Sequence, residues 1–520
     1  MELKDLFIGK IDAKNEPVDS ERNKRRFIDG FLLPDNIDSS QFLSGDRYYI
    51  IGLKGTGKTA LLKYIQLKIE QKNTQTLLIL FKSDFSEGDK ASFSRAAGCL
   101  IDAQTDEFKD FTDVWLWYIH RQIVEIIVKR NLIGCVFADN NDWRKYQACV
   151  LAPKLGEEAS GISRLIPKLK RGMIELEGNF GAIKGKLGLD FDWADKSQTT
   201  VKFSDLVKQA NALYQKLSPM EQPVSLYIFF DELELSFNQT KQYQTDIRLI
   251  RDIIVAINKI NMISRQLHLP IYTITSIRSE VLNAIGISGK EINKPITDYG
   301  VVLKWPQKGD DSKNHPLMNI ITKKISSSYK MLNMDSPTDD EIWTTFFPDR
   351  IGDKSIYEFI LNKTWYRPRD IIRLLSIAQS QFPKSLGFSQ NILETINKTY
   401  SSECWNEQIE ELRAIYNEDE LKGIKYMLLS LECPFSFIDI DRKCSSKKQY
   451  YDSVDKLLAK YKLADILSNL YRIGVIGNKG ERMRFSFRGD DELLIERPMT
   501  IHPALWNYLS ISNRSSINKD

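Results

Sequence analysis

The sequence predicts an α/β fold built on a parallel sheet, and three stretches carry that prediction. Tyr48–Leu62 reads YYIIGLKGTGKTALL: an apolar run, a glycine-rich turn, then helix formers. Residues 76–81, TLLILF, are a short continuous apolar run, the texture of a strand buried on both faces. Residues 225–235, SLYIFFDELEL, repeat that texture and end in acids. A helical period follows the first run, through Leu61, Leu62, Ile65 and Ile69, and another follows the third, from Asp246 to Arg265. Strands alternating with helices argue for parallel pairing.

Composition bounds the rest. At 520 residues the chain is long enough for about three to four domains. With 42 % hydrophobic and 27 % charged residues it has the make-up of an ordinary soluble protein. A net charge of +4 selects no class of partner, so local patches must decide. Six cysteines without a C-x-x-C pair, and only four histidines, argue against a zinc site or a disulfide framework. The opening MELKDLFIGKIDAKNE lacks the apolar core of a signal peptide. No apolar run approaches the roughly 18 residues of a membrane span. A cytoplasmic protein without membrane contact is expected.

GLKGTGKT at residues 52–59 has the spacing of a phosphate cradle. Its glycines let the backbone turn tightly, so that successive N–H groups face an anion. Gly52, Gly55, Thr56, Gly57, Lys58, Thr59 and Ala60 form the expected binding set. Lys58 would reach the β- and γ-phosphates, and the Thr59 hydroxyl would join the shell of a Mg²⁺ ion. The helix starting near Lys58 turns its positive end to the same charge. The bland alternative is an ordinary glycine-rich turn, but the flanks supply the strand and helix that the motif requires.

The run Leu226–Phe230 sets Asp231 at the carboxyl end of a buried strand, where ligands of open α/β sheets bind. Asp231 would hold the Mg²⁺ with Thr59. Glu232 would orient and deprotonate the attacking water. LPIYTITSIRSEV gives another strand, Ile271–Thr275, ending in Thr275, Ser276 and Arg278. Arg278 would face the nucleotide or a neighbouring subunit. A fifth strand is expected at residues 300–305. In WYRPRDIIRLLSIAQ, Pro368 suits a helix start, while Arg367 and Arg369 crowd an end that disfavours positive charge. That placement suggests an anion nearby, with Arg369 as a lid arginine on the γ-phosphate.

The chain divides into a strap (1–46), an ATPase core (47–310), a helical lid (311–385) and a tail (386–520). The strap either folds over the adenine or packs on the core. Within the core, the helix Val114–Lys129 shows an apolar stripe, and residues 162–193 alternate as an inserted hairpin around Gly178 and Gly181. Arg164, Lys168, Lys170, Arg171, Lys184 and Lys186 make that hairpin basic, for a phosphate backbone, a solvated flap or a subunit contact. The tail reads as helices followed by a two-stranded wing in VIGNKGERMRFSFRGDD, that is, a winged helix. Lys479, Arg482, Arg484 and Arg488 favour DNA contact, and the acids from Asp490 to Glu496 blunt it.

GLKGTGKT, IFFDE, TSIR, RPRD and the winged tail occur in that order. The combination resembles the additional-strand, catalytic-glutamate branch of P-loop ATPases, near origin-recognition-type AAA+ proteins and STAND signalling ATPases. The opening FIGKIDAKNE and the closing IHPALW resemble bacterial P-loop ATPases of phage-defence islands. The resemblance implies a P-loop NTPase core with strand order 5-1-4-3-2, ATP and Mg²⁺ as cofactors, and hydrolysis by Lys58, Glu232, Arg369 and Arg278. It also implies a homo-oligomeric switch that controls a separate protein effector in anti-phage defence, since no nuclease signature is present. A DNA-binding initiator or loader ATPase is the alternative.

Overall fold

The computed structural model describes residues 1–70, 74–84, 110–153, 169–170, 173–175, 200–233, 240–285, 291–305, 312–413, 415–490 and 492–514. The chain divides into two units. One comprises Met1–Pro34, Gly55–Ala60 and Lys304–Asp520, the other Asp35–Lys54 and Leu61–Leu303. The first is called the helical unit and the second the sheet unit.

The sheet unit contains β1 (Tyr49–Gly52), β2 (Thr74–Leu80), β3 (Leu169–Lys170), β4 (Met173–Glu175), β5 (Thr200–Lys202), β6 (Ser225–Leu233), β7 (Ile271–Arg278) and β8 (Gly300–Val302). Five of these form one sheet in the order β2-β6-β7-β1-β8, every pair parallel. Numbered along the chain and read from the other edge, this is the expected 5-1-4-3-2. The apolar runs explain the interior: all four residues of β1 are buried, as are Leu226–Asp231 of β6. β2 departs from its expected burial on both faces. Among the described residues it is an edge strand with one strand neighbour, and only Ile79 of its seven residues is buried.

The helix Thr112–Lys129 is buried almost all round rather than along one stripe. Helices Asn141–Leu151, Phe203–Tyr214 and Thr240–Gln266 surround it, so its aromatics have no solvent face. The Trp115 indole donates to the Leu249 carbonyl (2.9 Å) and meets the Phe230 ring edge-on at 6.1 Å. That contact fixes the helix layer on β6. The insert holds a ribbon other than the expected hairpin: β3 and β4 pair antiparallel, and β5, beyond residue 193, extends the ribbon to three strands. The stretch around Gly178 and Gly181 lies outside the described residues.

In the helical unit the Met1–Pro34 part of the strap folds onto the helices that follow residue 315. The Leu3 and Lys4 amides donate to the carbonyls of Ser385 and Pro383. Helices Pro316–Met331, Asp339–Phe346, Ile356–Lys363, Pro368–Gln381 and Asn397–Leu412 lead to four more, ending with Leu463–Arg472. The wing differs from expectation. Ile476–Asn478 pairs with Met499–Ile501, not with residues 482–488. The latter contribute one isolated bridge, Asn478 to Arg484, and a 3-10 turn at Ser486–Arg488. The alternation of Met483, Phe485 and Phe487 has another cause: Phe485 stacks on Phe487 (5.0 Å between centroids), and both rings meet buried His502.

Candidate nucleotide site

β1 ends at Gly52, and the helix Lys58–Glu70 begins six residues later. Between them Gly55 and Gly57 have φ of +83° and +99°, a left-handed region that glycine enters without steric cost. The turn that the motif demands is therefore present in the backbone. Lys58 and Thr56 are buried, and Lys58, Thr59 and Ala60 form the first turn of the helix.

Along the carboxyl edge of the sheet, Gly52 lies opposite Arg278 on β7, and β7 in turn pairs with β6. Asp231 is 3 % exposed and accepts a hydrogen bond from the Ser276 hydroxyl. The ladder between β6 and β7 shifts register between Phe230 and Leu233. Within that irregularity Glu232 has φ +58°, a conformation that costs a non-glycine residue of order 1–3 kcal/mol. The bulge turns the second acid out of the strand's alternation. Ser83, three residues past the end of β2, donates to Glu232 Oε2 at 2.7 Å. Gly52, Asp231, Glu232 and Arg278 thus share one sheet edge. The sequence singled out Ser276 at a strand end without pairing it with Asp231, and it did not single out Ser83. Their signal was positional: Ser276 lies two residues before the end of β7 and Ser83 three residues after the end of β2, the two strands that flank β6.

In the helical unit, Gly55–Thr56 meets the start of the helix Pro368–Gln381. The Arg369 amide lies 3.4 Å from the Gly55 carbonyl, and the Trp305 indole donates to the Thr56 carbonyl (2.8 Å). A Cβ on Gly55 would stand 3.2 Å from Arg367 Cδ and 3.4 Å from Arg369 Cβ. Pro368 is the first helical residue, as expected.

The crowded arginines have anions of the protein's own. Asp370, 1 % exposed, accepts from Arg367 Nε (2.9 Å), Arg373 (3.2 Å) and the Trp365 amide (3.2 Å). Glu407 accepts from Arg369 (2.9 Å) and forms an ion pair with Arg373. The charge that seemed unbalanced in sequence is therefore balanced in space by a carboxylate 38 residues away.

Asp231 and Thr59 are hard oxygen donors of the kind Mg²⁺ takes, one or two from protein and the rest from water and phosphate. Among the described residues no group of three or more His, Cys, Asp or Glu gathers as a metal cage. Asp231 is an acceptor already oriented by Ser276, which fits a single carboxylate ligand.

Two of the four basic wing residues turn inward. Arg484 donates to Asp490 (3.1 Å), and Arg488 donates to the Tyr366 hydroxyl (3.0 Å) over the same ring. Lys479 and Arg482 are exposed. On the helix Leu463–Arg472 the exposed side chains are Asp465, Ser468 and Arg472, one cation among them.

Residues 315–407 match the FunZ-associated C-terminal helical domain. That stretch contains Arg367, Arg369, Arg373 and Glu407, and so most of the ion-pair cluster. No curated protein sequence matches the chain. A solved structure, Cdc6p from Pyrobaculum aerophilum, aligns over 95 % of this chain and 93 % of that one, at 11 % identity and a TM-score of 0.30. A likeness that distant carries no argument. Among the described residues no helix is long and apolar enough to cross a membrane.

Proposed function

We propose that the chain binds ATP with Mg²⁺, hydrolyses it, and works as a nucleotide-driven switch. One observation carries this reading. The strand leading into a glycine-rich cradle shares the carboxyl edge of a parallel sheet with an Asp–Glu pair, and each acid is held by a serine hydroxyl. Lys58 and the cradle amides would neutralise the phosphates, and Thr59 with Asp231 would hold the metal. When bound, Mg²⁺ would offset the charge on the phosphoryl oxygens. Glu232, held by Ser83, would align a water and take its proton. Arg369 would turn from Glu407 to the γ-phosphate, so that the lid reads the nucleotide state.

The tail would carry that state to a protein partner. The segment before the lid helix is pinned to the tail: the Trp365 indole donates to the Gly474 carbonyl (2.8 Å) and its ring stacks on His502 at 4.0 Å. A lid movement would therefore drag the wing with it. The inward turn of Arg484 and Arg488 supports a protein contact over a DNA contact.

Phosphate release and nucleotide titration test the reading together. Glu232→Gln should keep ATP binding and lose about 10²–10⁴-fold in rate, the range for a general base. Lys58→Ala should lose binding itself. Wild-type hydrolysis by Glu232→Gln would overturn the assignment.

A further inference from the structure

Within the helical unit the strap lines a half-open cavity together with Ser328, Met331, Leu332 and Gln379, about 330 Å³ in volume, at the low end of small-molecule sites. Its cationic wall comes from Lys10, Arg22 and Arg26, and an apolar wall from Ile8, Met331 and Leu332 faces it. The cations are arranged, not merely near. The Arg26 guanidinium lies over one side of the Phe7 ring at 4.8 Å, and Lys324 Nζ lies 4.6 Å from the same ring. Arg26 Nε is buried and has no hydrogen-bond partner among the described residues. Buried donors are ordinarily met by an acceptor, so a group that accepts from it is expected. Two acids, Asp5 and Glu16, also line the cavity, and Glu16 accepts from the Lys10 amide (2.7 Å).

We infer that this cavity is a binding site for a small organic phosphate, with the phosphate on Arg22 and Arg26 and the body along Ile8 and Met331. Guanidinium groups suit a phosphate because their N–H forks match its oxygens. The site also has a place in the fold. Gln379, which lines it, donates to the carbonyls of Leu3 (2.6 Å) and Leu6 (2.8 Å), tying the strap to the lid helix. Arg369 stands near the start of that helix, ten residues earlier, about 15 Å away at 1.5 Å per residue. Binding in the strap would stiffen the lid; this consequence, unlike the binding itself, rests on the proposed switch.

Calorimetric titration of the full chain carrying Lys58→Ala tests the site with the cradle disabled. The probes are adenosine monophosphate, ribose 5-phosphate and adenosine. At least one phosphorylated probe should bind while adenosine does not. Arg26→Gln and, on the exposed rim, Arg22→Glu should each weaken that binding about tenfold or more. Arg22→Glu in the otherwise wild-type chain should leave ATP binding intact. Failure of both phosphorylated probes at millimolar concentration, binding indifferent to both arginines, or loss of ATP binding with Arg22→Glu would overturn a separate strap site. None of these results depends on whether Glu232 catalyses hydrolysis.

Discussion

Replacing Gly55 with alanine tests whether the cradle's shape is set where the lid meets it. With φ at +83°, an added methyl costs about 1–2 kcal/mol from the left-handed backbone alone. The methyl would also press on Arg367 Cδ at 3.2 Å and Arg369 Cβ at 3.4 Å. Arg367 has little room to yield, because its guanidinium is bonded to buried Asp370. An empty Gly55→Ala cradle would relax toward negative φ, and ATP would have to restore the strained turn. The strain then appears as lost affinity, about five- to thirtyfold for 1–2 kcal/mol. Titration of a fluorescent ATP analogue reads this directly. Gly352→Ala is the control, since its φ of +60° is also left-handed but nothing lies within 4 Å of the added Cβ. It should lose stability and keep affinity. If Gly55→Ala binds ATP as tightly as the parent, the cradle is not shaped by this glycine and the reasoning fails.

Two further outcomes are expected. Glu407→Gln removes the carboxylate shared by Arg369 and Arg373, with Arg373 and Glu407 both buried; a cost of about 3 kcal/mol follows for a broken buried pair, read as a lower denaturant midpoint. The same change releases Arg369, so ATP affinity should hold or rise, whereas Arg369→Ala should lower it; a matching fall in both variants would contradict the competition between Glu407 and phosphate. His120 is fully buried, bonded to Tyr146 (2.8 Å) and Asn211 (2.9 Å), and burial pushes its pKa down from 6.5 to about 4. Below pH 6.5 the unfolded chain takes the proton first, so stability present above pH 6.5 drains away as pH falls toward 4, by about 3 kcal/mol at 1.36 kcal/mol per unit. His120→Gln should flatten that part of the stability–pH curve, and an unchanged curve would show that another group governs it.

The sheet was legible because parallel strands buried on both faces must be apolar without interruption. That signal located β1, β6 and β7, although β7 runs on through Arg278 rather than stopping at Thr275. It failed for β2, because an apolar run does not say how much of each face the rest of the chain will cover, and only Ile79 is buried. The wing failed for a related reason. Alternating Met and Phe between arginines reads as a strand, but those rings gather around His502, and strand pairing passes to Met499–Ile501. Alternation records which side chains seek burial, not which backbone pairs with which.

The site divides the same way. The glycine-rich turn was legible in the sequence, because the φ of +83° and +99° found there is costly for any residue but glycine, and so was the acid at the end of β6. Local chain geometry dictates both. What the charged groups touch became visible with the folded chain. Ser276 and Ser83 reach the two acids from neighbouring strand ends, and Glu407 reaches Arg369 from another helix. Charge acts through space, so its partners appear only once the chain has folded.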